Sequence, residues 1–121
     1  MKPRILIVDD ESNMRMLLKE LLSFYNYEVV GEAVNGNKAV EQYSTLKPDL
    51  SIIDIMLPGI SGYVVLQRIL SMNLKAKVIM LTGLRQKPQV QACMKAGACD
   101  FIVKPFDNKR LIESVKRVLE S

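Results

Sequence analysis

Short apolar runs alternate with amphipathic stretches along the chain, five of each. "RILIV" (4–8), "YEVVGEA" (27–33), "LSIIDI" (50–55), "AKVIML" (76–81) and "DFIV" (100–103) read as strands. The stretch 14–25 repeats apolar residues at Met14, Leu17, Leu18, Leu21 and Tyr25, which predicts one face of a helix. Further helices are predicted over 37–46, opened by an Asn35-Gly36 turn, and over 62–72, capped by Ser61 after a Pro58-Gly59 turn. A helix over 88–97 has Pro88 in its first turn and Gly97 at its end. The last helix, 108–120, is apolar at Leu111, Ile112, Val115, Val118 and Leu119.

This order is (βα)5. Nearly continuous apolar strands joined by helices imply a parallel, doubly wound α/β sheet covered on both faces. Ligands of such sheets bind beyond the carboxyl ends of the strands, near a topological switch point. The strand exits here carry Asp9-Asp10, Gly31-Glu32-Ala33, Asp54, Thr82-Gly83 and Lys104-Pro105.

Each has a plain alternative. Asp10, Glu11 and Ser12 could cap the first helix. Asp54 could be a solvated loop acid, Thr82 an ordinary strand former, and Lys104 a surface lysine before a turn proline. Their coincidence at neighbouring exits favours one shared site. Three carboxylates in a cleft raise one another's pKa, and a hard divalent cation relieves that cost. Carboxylates, cation, lysine and hydroxyl together suit the equatorial oxygens of a phosphoryl group in transfer. Asp54 is then a metal ligand or the nucleophile itself, since aspartate can form an acyl phosphate.

Composition narrows the setting. The chain has 121 residues, the size of one domain, and is 49% hydrophobic and 25% charged. The apolar run after the amino terminus is too short for a signal peptide, and no run approaches a membrane span. A cytoplasmic location is expected. Cys93 and Cys99 are expected to be buried free thiols, and the absence of histidine excludes a Cys/His zinc site. A net charge of +4 is spread thinly, and the Lys-Arg pairs at 109–110 and 116–117 read as a solvated face. Direct nucleic-acid binding is not expected.

"ILIVDD", "EAVNGNKAV", "PDLSIIDIMLPGISG", "VIMLTG" and "AGACDFIVKPF" resemble, in order and spacing, the response-regulator receiver domain, the CheY-like module of two-component signalling. The resemblance covers the whole chain as one receiver domain, 1–121. It implies the flavodoxin-like strand order 2-1-3-4-5 known for the family. It implies that Asp54 is the phosphoacceptor, receiving its phosphoryl group from a sensor histidine kinase. Magnesium, with manganese as the alternative, would be held by Asp10 directly, by Asp9 through water, by Asp54 and by the backbone carbonyl of Met56. Thr82 would reorient onto the phosphoryl oxygen, Lys104 would neutralise it, and Phe101 would turn inward when Thr82 moves. Lys104-Pro105 would be cis. The surface of the fourth helix, fifth strand and fifth helix would then change and control a partner.

By the same resemblance the chain is a phosphoacceptor that assists its own phosphorylation and dephosphorylation, not an enzyme with separate turnover. Partners would be the kinase and a downstream target or histidine phosphotransfer protein, with no membrane partner. The alternatives are a phosphorelay intermediate, or the receiver piece of a longer regulator with a DNA-binding or enzymatic output. Ending at Ser121, the chain reads as lacking an output module. Monomer and phosphorylation-dependent dimer stay open.

Departures from the family pattern bear on rate. Phe101 lacks the hydroxyl of the more usual tyrosine. Met56 and Leu84 put apolar residues where polar ones would orient a hydrolytic water, so a long-lived phosphoryl group is expected. Two rivals fit poorly. A haloacid-dehalogenase-type phosphatase needs a second Asp where Met56 stands. A flavin or nucleotide domain needs a phosphate loop where Asp9-Asp10 would repel phosphate.

Overall fold

The computed structural model describes residues 1–121. Strands β1 (Arg4–Val8), β2 (Glu28–Ala33), β3 (Leu50–Asp54), β4 (Val78–Thr82) and β5 (Asp100–Val103) form one parallel sheet in the order β2-β1-β3-β4-β5. Helices α1 (Ser12–Phe24), α2 (Gly36–Leu46), α3 (Gly62–Met72), α4 (Lys87–Ala96) and α5 (Asn108–Glu120) cover both faces. Order and strand number agree with the expected flavodoxin-like architecture.

Alternation along the strands divides the core into two layers. Leu6, Val8, Ile53, Val78 and Met80 pack with residues of α2, α3 and α4. Ile5, Ile7, Ile52, Ile79 and Leu81 face the other way, onto Leu18, Leu22, Leu111 and Val115 of α1 and α5. These side chains are sealed from water, each contributing roughly 1.5–3 kcal/mol of burial.

Local chemistry sets the boundaries. The Asn35 side chain accepts from the Lys38 N–H, and Ser61 Oγ from the Val64 N–H, so both expected helix starts are capped. Pro88 lies in the first turn of α4, and Gly97 ends that helix at φ 126°, a region that favours glycine. β4 begins two residues later than expected and includes Thr82, because Ala76 is held in a turn by the Asn73 carbonyl. On α1 the buried face is Leu18, Leu21 and Leu22, with Met14 partly covered. Leu17 and Tyr25, expected on that face, are exposed. The helix is pressed on the sheet along a narrower stripe than its composition suggests, and Tyr25 lies past its end beside Lys116. No helix is long and apolar enough to cross a membrane.

Candidate functional site

β1 and β3 are neighbours at the centre of the sheet, while β5 is its edge strand, so the long Lys104 side chain reaches past the end of β4 to meet them. The sheet ladder runs one residue past each strand: Asp9 N–H donates to Ala33 O, Ile55 N–H to Leu81 O and Lys104 N–H to Thr82 O. Counting by twos from Ile7, Ile52 and Ile102 places Asp9, Asp54 and Lys104 toward the same side. Three residues far apart in sequence therefore meet.

Lys104 Nζ lies 2.8 Å from Asp9 Oδ2 and 3.0 Å from Asp54 Oδ2. Asp9 is fully buried; its other oxygen accepts the Glu11 N–H at 2.8 Å. Asp54 is also buried, and its Oδ1 accepts the Met56 N–H at 3.1 Å. Asp10 is exposed and lines an open cleft with Glu11, Asp54, Met56, Gly83, Gln86 and Lys104. Gly62 lets α3 start against this cleft: a Cβ there would lie 2.2 Å from the Asp54 carbonyl oxygen.

These contacts overturn the helix-cap alternative. Glu11 occupies the N-cap of α1 without a side-chain cap bond, and Asp9 turns to Lys104 and the Glu11 N–H. Asp9 and Asp10 serve one site. Both follow the last strand residue, Val8, and each offers an oxygen to one cluster with Asp54. Burial distinguishes them.

Charge sets the behaviour of the cluster. Burial pushes the Asp54 carboxyl above its ordinary pKa, with Asp9 adding to the rise, and the Lys104 ammonium only partly offsets this. Burial alone would lower the Lys104 pKa, but its hydrogen bonds to Asp9 and Asp54 outweigh it and the net shift is upward. Asp9, Asp10 and Asp54 each offer a carboxylate oxygen within 4.8 Å of the others, against one ammonium. A hard, oxygen-only donor set with excess negative charge suits magnesium.

Thr82 and Phe101 lie toward the other layer. Thr82 follows the alternation of Val78 and Met80, and Phe101 packs against the same layer. Both line a cavity of ≈ 340 Å³ with Leu84, Val90 and Val103. The Lys104-Pro105 peptide is cis, as the resemblance implied.

Three features escaped the sequence reading. Gln86 folds back onto Thr82 and Gly83. Asp100, at the start of β5, binds Ser114, Arg110 and Arg117, so the second residues of both Lys-Arg pairs are not simply solvated. Cys99 is exposed, contrary to expectation, while Cys93 is buried: Cys99 precedes β5 outside the α4 packing face. The recurrence of Arg110 and Arg117 on the side of α5 that also carries Ser114 was the available signal for the Asp100 cluster.

Comparison with known proteins agrees with this geometry. The response regulator receiver domain family matches residues 5–116. The chemotaxis protein CheY of Thermotoga maritima is 44% identical over 98% of this chain and 98% of its own. The CheY-like receiver domain protein of Methanospirillum hungatei superposes with a TM-score of 0.93 at 29% identity, over 99% of this chain and 95% of that one. A chain of the CheX-CheY-BeF3-Mg complex of Borrelia burgdorferi gives 0.90 at 30% identity, over 95% and 87%. With the acidic cluster, its lysine and the sheet order in place, the chain belongs to the response regulator receiver domain family.

Proposed function

We propose that this chain is a phosphorylation-activated switch in which Asp54 accepts a phosphoryl group from the phosphohistidine of a sensor histidine kinase. The observation that carries the reading is the Asp54 carboxylate itself, buried at the end of the central strand and 3.0 Å from Lys104 Nζ. These 121 residues hold no histidine, so the phosphohistidine lies outside them.

In the transfer, an Asp54 oxygen attacks phosphorus and forms the acyl phosphate while the phosphorus–nitrogen bond to the donor imidazole breaks. The imidazole leaves with that electron pair and takes a proton. Lys104 neutralises a phosphoryl oxygen, and the Thr82 hydroxyl donates to another. Asp9, Asp10, Asp54 and the Met56 carbonyl would hold magnesium, which supplies charge neutralisation to the carboxylates and the phosphoryl oxygens. The complex of the Borrelia relative, with BeF3 and magnesium, supports this choice of cation.

Movement of Thr82 empties space beside Phe101, which turns inward and alters the surface of α4, β5 and α5 toward a target or phosphotransfer protein. The chain completes no catalytic cycle on a separate substrate. Incubation with acetyl phosphate and magnesium, followed by intact-mass measurement, should give one phosphoryl adduct. The adduct should be absent in Asp54→Asn and in the presence of a chelator. No adduct on the unaltered chain under any condition overturns the reading.

A further inference from the structure

Thr82 enters the resting state already hydrogen-bonded. It is buried at the end of β4, and two carbonyl oxygens compete for its single hydroxyl proton: Gln86 Oε1 at 2.9 Å and Gly83 O at 3.1 Å. Gln86 Oε1 also accepts the Gly83 N–H at 2.5 Å. A backbone N–H can only donate, so this bond fixes the orientation of the Gln86 amide and aims its oxygen at Thr82. Gln86 is the N-cap residue of α4, yet its side chain makes no cap bond to that helix. It is diverted to the strand end instead. A Cβ at position 83 would sit 3.4 Å from Gln86 Oε1, an ordinary contact, so the return of the Gln86 side chain does not depend on glycine there.

The placement is between two regions already described. Gln86 lines the acidic cleft with Asp54 and Lys104, while Thr82 and Gly83 line the cavity that also holds Phe101. We infer that Gln86 is a positioning residue that latches Thr82 in its resting rotamer and ties the start of α4 to the end of β4. The inference rests on the reading of Asp54 as phosphoacceptor. For Thr82 to donate to a phosphoryl oxygen, its bond to Gln86 must break. The latched state therefore lowers the population ready to stabilise the transferred group. Release of the same bond leaves Gln86 Oε1 held only by the Gly83 N–H, which loosens the tie between β4 and the first turn of α4 without passing through Phe101.

The test compares the unaltered chain with Gln86→Ala, Gln86→Met and Gln86→Glu. Ala and Met remove the acceptor oxygen, Met at nearly constant length, and Glu keeps it. Three-bond couplings to the Thr82 methyl carbon, read by NMR in the unphosphorylated protein, report its χ1. A single rotamer is expected in the unaltered chain and in Gln86→Glu, and averaging in Gln86→Ala and Gln86→Met. The initial rate of adduct formation from acetyl phosphate at fixed magnesium should rise roughly two- to tenfold in Gln86→Ala and Gln86→Met, the range set by one hydrogen bond. Unchanged couplings in both variants overturn the latch, as does an unchanged rate. An unaltered chain that takes no adduct removes the phosphoacceptor reading instead, and the couplings then decide the latch alone.

Discussion

Lys104 Nζ stands 2.8 Å from Asp9 Oδ2, joining residues 95 apart in sequence, and Asp9 is fully enclosed. An enclosed carboxylate needs its cation: removing one partner of a sealed pair leaves an uncompensated charge. Lys104→Met should therefore destabilise the metal-free protein by about 2–3 kcal/mol, less than for a sealed pair because Lys104 is partly exposed. Magnesium should restore part of the loss. Urea unfolding with chelator and with magnesium measures both; equal stability of variant and unaltered chain would contradict the assignment.

Asp54 behaves oppositely. Its carboxyl is raised because burial and Asp9 outweigh Lys104. The folded chain then binds that proton more tightly than the unfolded chain does. Stability falls as pH rises from the ordinary carboxylate value through the raised one. Asp54→Asn should raise the melting temperature at pH 7 without metal and flatten the pH profile in that window. A lower melting temperature for the variant would reverse this balance.

Asp100 titrates in the other sense. Burial favours its neutral form, but Ser114, the Phe101 N–H and Arg110 outweigh burial and hold the pKa below the ordinary value. Its stabilisation is present above the ordinary carboxylate value of about 4 and is lost as pH falls through the lowered one. Asp100→Asn should cost roughly 1.5–3 kcal/mol at pH 7, as expected for hydrogen bonds to a charged group, and the difference should close as pH falls through the lowered pKa. Thermal unfolding across that range reads it.

Met56 and Leu84 are both exposed, Met56 in the cleft beside Asp54 and Leu84 in the cavity beside Thr82. Neither side chain can orient an attacking water. On the proposed function, Met56→Asn combined with Leu84→Glu should shorten the life of the phosphoryl group on Asp54 by about tenfold, within the range for a positioned polar or acid–base group. Mass measurement after removal of acetyl phosphate follows the decay, and identical decay in the two proteins refutes the expectation.

The two thiols should react unequally. Cys99 is exposed, whereas Cys93 is fully buried with a thiol pushed above its ordinary pKa by that burial. Maleimide should add once to the native chain and twice after denaturation, with peptide mapping placing the first label on Cys99.

Much of the site is legible because its carriers interrupt local patterns. An acid such as Asp54 after "SII" breaks an apolar run, and Thr82 and Lys104 fall where strands end. Gln86 left no such mark. A polar residue just before a helix reads as a surface or capping residue, and its return to Thr82 depends on how the β4–α4 loop folds. Cys99 and Cys93 are likewise indistinguishable in type, and only the packing of α4 separates them.

The sequence by itself determined the alternation of strands and helices, most of their boundaries and the group of residues at the strand ends. Periodicity, caps and turn residues act within a few neighbours, so they can be read along the chain. The tertiary structure decided the partnerships. Asp9 and Lys104, Asp100 and Arg117, and Thr82 and Gln86 are matched by strand order, register and loop path. Charge and hydrogen bonding depend on distances of a few ångströms, and those distances exist only once the sheet has assembled.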